Sequence, residues 1–358
     1  MDAARFVGTE PLAANSPIVP ERLQAWLAER LPDCGGHMTI ERFRGGQSNP
    51  TMVLSFDGER RLVLRKKPDG KLLPSAHAVD REFRVISALR ESDVPVAHAR
   101  LLCDDDTVGG SMFYIMDYVA GRSFWEPGLP DMQASERAAI YDEMNRVIAA
   151  LHSVDHVAVG LEDFGRPADY VARQVARWTK QYRASETETI EAMDGLTAWL
   201  PDNIPEQRRT SLIHGDYRID NMIFHPSEPR VLALVDWELS TIGDPMADFA
   251  YHMLTWHFPG RPYRGLADID LVGTGIPDER RYRDAYLRAT GQEGVGEREW
   301  YAYLAYCLFR VAAIRQGIMK RVVDGTASSL HAREAGALAR PVAELGWRYA
   351  EHAMRMGG

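Results

Sequence analysis

The 358-residue chain is poor in cysteine. Cys34, Cys103 and Cys307 are far apart and have neither the spacing of a metal site nor the even number of a disulfide framework. Reduced thiols in a cytoplasmic protein are the expectation. No uninterrupted apolar run approaches the ~20 residues of a membrane span; even YLAYCLFRVAAI is broken by Arg310. The opening residues lack the basic-then-apolar pattern of a secretory leader. Positive charge is not in excess either: 42 basic against 51 acidic residues give a net charge of −9, and neither sign forms a long block. A general nucleic-acid binder would carry a basic footprint, so neither nucleic acid nor membrane is an expected partner. No G-x-G-x-x-G follows a strand pattern, which removes the dinucleotide fingerprint. What remains, with 45% hydrophobic and 26% charged residues, is an ordinary globular composition with enough chain for one large domain or two smaller ones. Composition says nothing of oligomeric state.

Several organised segments are present. Residues 1–20 read as a loose arm, and PERLQAWLAERL as a helix with proline just inside its start. From Met38 the texture becomes β: MTIERF, TMVLSF and RLVLRKK are short alternating or β-branched runs, with an Asp-Gly turn signal between the last two. DREFRVISALRES has helical spacing, with Phe83, Ile86 and Leu89 on one face and Asp80 as a candidate cap. ARLLCDD and SMFYIMDYV complete a strand-rich region.

After Gly121 the pattern is helical. Ile140, Met144, Val147, Ile148 and Leu151 form one stripe, with Ser135 as a candidate cap, and further helices are expected over 169–184, 188–200, 244–257, 278–290, 297–323 and 327–354. Short strands interrupt them only in 212–237. The expected organisation is an arm and helix over 1–37, an N-lobe over 38–120 and a helical C-lobe over 121–358.

Two stretches place carboxylates at the ends of apolar runs: LIHGDYRIDNMIFHP from Leu212 and VLALVDWE from Val231. Asp216 precedes Asn221 by five residues, the interval between base and metal-binding Asn in the protein-kinase catalytic loop. A hairpin of NMIF and VLALV, turning through HPSEPR, would bring Asp236 beside Asn221. One Asn and one Asp suit Mg²⁺, which prefers a few hard oxygen ligands and keeps some of its waters. Asp216 could then take the proton of an attacking hydroxyl. Upstream, Gly45 and Gly46 with Ser48 and Asn49 lie between two strand patterns, where backbone N–H groups could approach phosphates. Arg65 ends a strand at the place of a phosphate-pairing lysine, and Glu82, seventeen residues on, would be its ion-pair partner. Adenine would bond main chain around Asp117, Tyr118 and Val119.

HGDYRIDN, then VDWE, then GDPMADFAY resembles the aminoglycoside phosphotransferase/choline kinase family over roughly 38–325. VLRKKPDGKLLPSAHAVDREFRV is similar to the kinase domains associated with acyl-CoA dehydrogenases. The resemblance implies an α+β, two-lobed, protein-kinase-like fold, with a small antiparallel-sheet N-lobe and a larger helical C-lobe. It also implies ATP and Mg²⁺ as cofactors and a small-molecule hydroxyl substrate. By the same resemblance Asp216 is the catalytic base and Asn221 and Asp236 bind magnesium, while Arg65 with Glu82 anchors the phosphates. Asp248 and His214 would hold the catalytic loop.

The stretch after Asp248 carries Arg261 and Arg264 but no carboxylate, and the helix from Trp300 adds Arg310, Arg315, Lys320 and Arg321. That bias points away from polycationic aminoglycosides and toward a substrate with anionic parts. The resemblance to dehydrogenase-associated kinase domains implies a hydroxyacyl compound or its coenzyme A thioester. Choline or another amino alcohol, an aminoglycoside, and a non-catalytic nucleotide-binding regulator are the alternatives. Trp237, Trp256, Tyr303 and Tyr306 could frame a quaternary ammonium or simply pack a core.

Overall fold

Alternation of apolar and polar residues sets the main sheet. The computed structural model describes residues 8–13, 16–44, 49–57, 60–68, 78–292, 294–327 and 331–356. Strands β1 (Thr9–Pro11), β2 (Met38–Phe43), β3 (Thr51–Phe56) and β4 (Arg60–Lys66) run antiparallel in sequence order. Past the helices α1 (Pro20–Ala28) and α2 (Val79–Ala88), β5 (Ala99–Cys103), α3 (Asp106–Gly109) and β6 (Phe113–Asp117) follow. The six-stranded order is β1-β2-β3-β4-β6-β5. On one sheet face Met52, Leu54, Leu62, Leu64 and Ile115 pack with Leu23 and Leu27 of α1. Each such fully buried leucine contributes about 1.5–3 kcal/mol from water exclusion.

These strands coincide with the alternating segments read from sequence. The arm does not: Thr9–Pro11 pairs with Glu41–Phe43 as an edge strand. Three residues with two exposed positions carry no periodic signal, so pairing supplies what propensity lacks. Asp80 does not cap α2, which begins at Val79; the carboxylate sits in the first turn instead. Ser135 likewise falls inside α4 (Ala134–His152), where Glu136 reaches back to the Gln133 N–H at 3.1 Å.

The rest of the chain gives α5 (Tyr170–Ser185), α6 (Glu191–Trp199), β7 (Ser211–Ile213), β8 (Met222–Phe224), β9 (Val231–Leu234) and β10 (Thr241–Gly243). Then come α7 (Pro245–His257), α8 (Glu279–Thr290), α9 (Glu297–Val323), α10 (Ala332–Ala337) and α11 (Ala339–Arg355). The helix expected over 327–354 is therefore two. Pro341, in the first turn of α11, has no N–H to give the Ala337 carbonyl, so a continuous helix cannot pass through it. Among the described residues no helix is long and apolar enough to cross a membrane.

Two compact units result. The described residues of 1–147, 157–161 and 218–240 form one, and those of 148–156, 162–217 and 241–358 the other. The first holds the six-stranded sheet and the β8–β9 hairpin, while the second is helical with one short ribbon, β7 against β10. Within the first, Gly121 is pressed against the hairpin: a Cβ there would lie 2.3 Å from the Phe224 carbonyl oxygen. The next residue, Arg122, exchanges backbone hydrogen bonds with Phe224 at 2.9 and 2.8 Å. Taken together, this is a two-lobed α+β kinase-like fold, with an antiparallel N-lobe sheet and a helical C-lobe.

Candidate active site

The candidate residues fall in both units, and each set is built by its own local folding. In the sheet-containing unit the centre is Arg65. Strand register sets it between Thr51 of β3 and Tyr114 of β6. Its Nε lies 2.8 Å from Glu82 Oε2 and its Nη2 2.5 Å from Asp236 Oδ1. The Nε contact is close but off the N–H axis, so it is an ion pair rather than a hydrogen bond. Glu238 stands 4.0 Å from the same Nη2.

Glu82, on the inward face of α2, is almost fully buried and also accepts from Asn49 Nδ2 at 2.7 Å and Tyr114 Oη at 3.3 Å. Burial pushes the Glu82 carboxyl up against the pull of Arg65. For Arg65, burial opposes the charge, but Glu82, with Asp236 and Glu238 adding, outweighs it and raises the pKa. A single fork thus joins a strand, a helix and the residue after the hairpin.

Arg65→Lys should therefore destabilise the protein by about 1–2 kcal/mol in denaturant unfolding, because a point charge cannot serve Glu82 and Asp236 as a fork does. Unfolding at the wild-type midpoint would contradict this role.

Asn221 and Asp236 are placed by the hairpin. β8 and β9 pair antiparallel with a register shift between Ile223 and Phe224. The Val235 N–H donates to the Asn221 carbonyl at 2.9 Å, which sets Asp236 next in line. Asp236 has a left-handed backbone (φ 68°, ψ 59°) at the head of a short 3₁₀ turn, Trp237–Leu239. A non-glycine residue in that region costs about 1–2 kcal/mol, and such strain clusters at functional positions. Trp237 pins the turn, its Nε1 donating to the Leu234 carbonyl at 2.9 Å. Asn221 and Asp236 are thus neighbours along the hairpin backbone, and an amide and a carboxylate are hard-oxygen donors of the kind Mg²⁺ takes.

The other expected contacts have surroundings of their own. Asn49 is fully buried, its amide turned to Glu82. Asp117 is a member of the sheet whose N–H donates to the His98 carbonyl at 2.9 Å. Its carboxylate receives Arg100 Nε at 2.9 Å and Nη2 at 2.7 Å, and Arg60 Nη2 at 3.2 Å. Burial raises this carboxyl, but the Arg100 hydrogen bonds win and hold it below the usual range. Tyr118 lies under the Arg61 guanidinium, 4.0 Å from ring centroid to Cζ, and Val119 is half-buried. Gly45, Gly46 and Ser48 lie outside the described residues.

In the helical unit the segment after β7 is held from behind. Asp248 lies in the first turn of α7, whose cap Asp244 accepts the Met246 N–H at 2.9 Å. The Asp248 carboxylate accepts the N–H groups of His214 at 2.9 Å and Gly215 at 2.8 Å. His152, at the end of α4, brings Nε2 to 3.2 Å of Asp248 and Nδ1 to 2.7 Å of the Tyr286 hydroxyl, which also receives Gln292 Nε2 at 2.9 Å. The donors run one way, from Gln292 through Tyr286 and His152 to Asp248, if Nε2 carries the imidazole proton. Burial would raise the Asp248 carboxyl, but the His152 hydrogen bond, with His214 and its N–H, keeps it below the ordinary value.

Gly215 has φ +84°, a conformation that suits glycine, and His214 Nδ1 accepts the Asp216 N–H at 3.2 Å. The half-buried Asp216 carboxylate receives the Tyr251 hydroxyl on Oδ1 at 2.8 Å.

Arg310, one of the cations behind the basic bias of α9, is turned to the loop backbone. It is buried, donates from Nη2 to the Gly215 carbonyl at 2.7 Å, and stacks with Cζ 4.7 Å from the Tyr251 ring centroid. Arg315 donates to the Ala335 carbonyl at 3.1 Å, and Lys320 pairs with Asp324 at 2.5 Å. The basic bias of α9 is therefore largely scaffolding. Trp237, Trp256, Tyr303 and Tyr306 are all buried, with the Tyr303 hydroxyl on Asp244 at 2.8 Å; packing, not a cation cage, is their arrangement. Sequence reasoning passed over Tyr251, His152 and Glu238. Tyr251, three residues after Asp248 on one helix, was accessible from spacing alone.

A kinase-like fold with a carboxylate-anchored loop, an Arg–Glu pair and an Asn/Asp hairpin defines a phosphotransferase. The chain belongs to the phosphotransferase enzyme family known as APH, whose model matches residues 39–304. It is 46% identical to mouse acyl-CoA dehydrogenase family member 10 over 96% of this chain and 32% of that protein. It is 40% identical to human acyl-CoA dehydrogenase family member 11 over 90% of this chain and 42% of that one. The chain thus spans less than half the length of these curated relatives. A crystal structure from Ralstonia eutropha, assigned to the aminoglycoside phosphotransferases, superposes with TM-score 0.86 at 52% identity, covering 93% of this chain and 98% of that one.

Proposed function

We propose that this chain transfers the γ-phosphoryl group of Mg-ATP to a hydroxyl of a small metabolite, with a hydroxyacyl compound or its coenzyme A thioester as the substrate class. The observation that carries the reading is the two-sided use of Arg65, which grips Glu82 and Asp236 at once. That arrangement gives phosphate oxygens a planar donor fork beside the carboxylate expected to hold metal. Similarity to acyl-CoA dehydrogenase family members 10 and 11 favours the acyl substrate class. The basic residues of α9 lend that choice less weight than composition suggested, since Arg310 faces the loop.

In this mechanism Asp216 orients the acceptor hydroxyl and takes its proton as the oxygen attacks the γ-phosphorus and the bond to the departing ADP oxygen breaks. Asn221 and Asp236 would hold magnesium, which supplies neutralising charge to the phosphates. Arg65 directs guanidinium N–H groups to the same phosphate oxygens, and Glu82 keeps that side chain in place. Adenine is assigned to the segment from Asp117 to Val119. The Asp117 N–H is already given to His98, which leaves the main chain at 118–119 to recognise the base. Gly45, Gly46, Ser48 and Asn49 would line the phosphate side, Asn49 acting through Glu82.

ADP release from Mg-ATP tests the reading across hydroxyacyl-CoAs, free hydroxy acids, amino alcohols and aminoglycosides. Release dependent on a hydroxyacyl compound is the expected result. Release with amino alcohols alone would move the substrate class, and tight ATP binding with no acceptor-dependent release would favour a regulatory nucleotide binder.

A further inference from the structure

Arg65 has every nitrogen of its guanidinium in use. Nε faces Glu82 Oε2 at 2.8 Å, Nη1 donates to the Thr51 hydroxyl at 3.4 Å, and Nη2 donates to Asp236 Oδ1 at 2.5 Å. All four residues lie in the sheet-containing unit. One arm of the fork therefore already occupies the carboxylate read as a metal ligand.

The charged contacts are not equally replaceable. The Glu82 side chain is 1% exposed, and parting it from Arg65 would leave a buried carboxylate without its counter-charge. The Asp236 side chain is 34% exposed, and an ion pair open to water is weak and easily exchanged. The contact that gives way is Nη2 with Asp236. Asp236 itself is fixed from the backbone, by its left-handed conformation and by the Trp237 bond to the Leu234 carbonyl. Exchange thus moves the long arginine side chain rather than the acid.

We propose that Arg65 is a built-in counter-ion that closes Asp236 to metal until a nucleotide arrives, so that metal and nucleotide binding are positively coupled through one exchange. The proposal rests on the reading of Asp236 as a metal ligand and Arg65 as a phosphate anchor. Asp236 accepts a metal ion only by giving up Nη2, and without nucleotide Nη2 then has only water to turn to. Arg65 turns to phosphate alone only by leaving Asp236 without its cation. With both ligands present each exchange removes the obstacle to the other, and the coupling factor is the same in both directions. No covalent bond changes.

The test uses the full chain with Mn²⁺ as the probe, the free ion being counted by its electron paramagnetic resonance signal, and AMP-PNP as the nucleotide. Arg65→Met removes the competitor, but it strands Glu82 and makes the site more negative. Arg65→Met/Glu82→Gln removes one charge of each sign and leaves residue 82 an amide that can still bond Asn49 and Tyr114, so it is the deciding variant. It should bind Mn²⁺ alone about tenfold tighter than wild type, the order of coupling that one exchanged charge-assisted hydrogen bond supplies. Adding Asp236→Asn should abolish the gain. With Mn²⁺ present, the double variant should bind AMP-PNP about tenfold more weakly, and the factor by which each ligand strengthens the other should fall toward one. Loss of a structural brace weakens every ligand, whereas loss of a competitor strengthens one.

Mn²⁺ affinity at or below that of wild type, in a double variant that still binds Mn-AMP-PNP, overturns the proposal and leaves the kinase reading standing. A gain that survives Asp236→Asn places the metal elsewhere and overturns it as well. A wild type that holds no Mn²⁺ even with AMP-PNP overturns the reading of Asp236 as a ligand, and the proposal with it.

Discussion

Asp216→Asn is expected to bind Mg-nucleotide as the wild type does, within about twofold, while turnover falls by about a thousandfold. The amide has nearly the shape of the carboxylate and keeps an oxygen for the Tyr251 hydroxyl. The anchoring bonds from His214 and Gly215 to Asp248 do not involve the side chain at 216, so the loop should hold. What disappears is the charge that takes the acceptor's proton and orients its oxygen. Single-turnover kinetics beside calorimetric titration with AMP-PNP separates the two effects. A rate within tenfold of wild type would remove Asp216 from the chemistry.

Asp248→Ala should be damaging in another way. Its carboxylate is buried and accepts two backbone N–H groups and an imidazole. Deletion leaves three donors in a low-dielectric environment without an acceptor. Removing one partner from a buried charged network costs about 3–5 kcal/mol, and the loop that carries Asp216 would lose its fixed backbone. Lower stability and lost turnover should therefore appear together, with Asp248→Asn intermediate because its amide oxygen can still accept. The linkage sign follows from the depressed carboxyl. The folded group binds its proton less readily than the unfolded one, so this contribution is present above the ordinary carboxylate range and is lost as pH falls through the folded value. Denaturant midpoints measured down into the acid range should fall more steeply for wild type than for Asp248→Asn. Parallel curves would contradict the assignment.

Much of the fold was legible because the signals were local. MTIERF and TMVLSF are strands at the very residues where alternation placed them, and 297–323 is one helix as its pattern required. The β8–β9 hairpin was legible too: NMIF and VLALV pair antiparallel across the turn that HPSEPR signalled.

What escaped was set by packing over long sequence distances. Tyr251 and Arg310 look like ordinary members of apolar helices until Gly215 and Asp216 are brought against them. Arg310 did carry a warning. A lone cation inside YLAYCLFRVAAI is buried whichever way that helix turns, and a buried guanidinium needs acceptors. The break at Leu338 had a cause in plain view at Pro341, but the apolar period running through 327–354 masked it. Asn49 belongs to the same class. Its amide meets a carboxylate thirty-three residues away, a pairing that no local signal carries.

The central claim is that a phosphoryl group passes from ATP to a hydroxyl while Asp216 takes the proton. High-resolution mass spectrometry of hydroxyacyl-CoAs incubated with Mg-ATP and enzyme measures it, with Asp216→Asn as the blank. A product heavier by one phosphoryl group, formed by wild type and absent from the blank, is the predicted result. Equal product from both proteins, or none from any hydroxyl with a wild type that binds Mg-ATP, would contradict it.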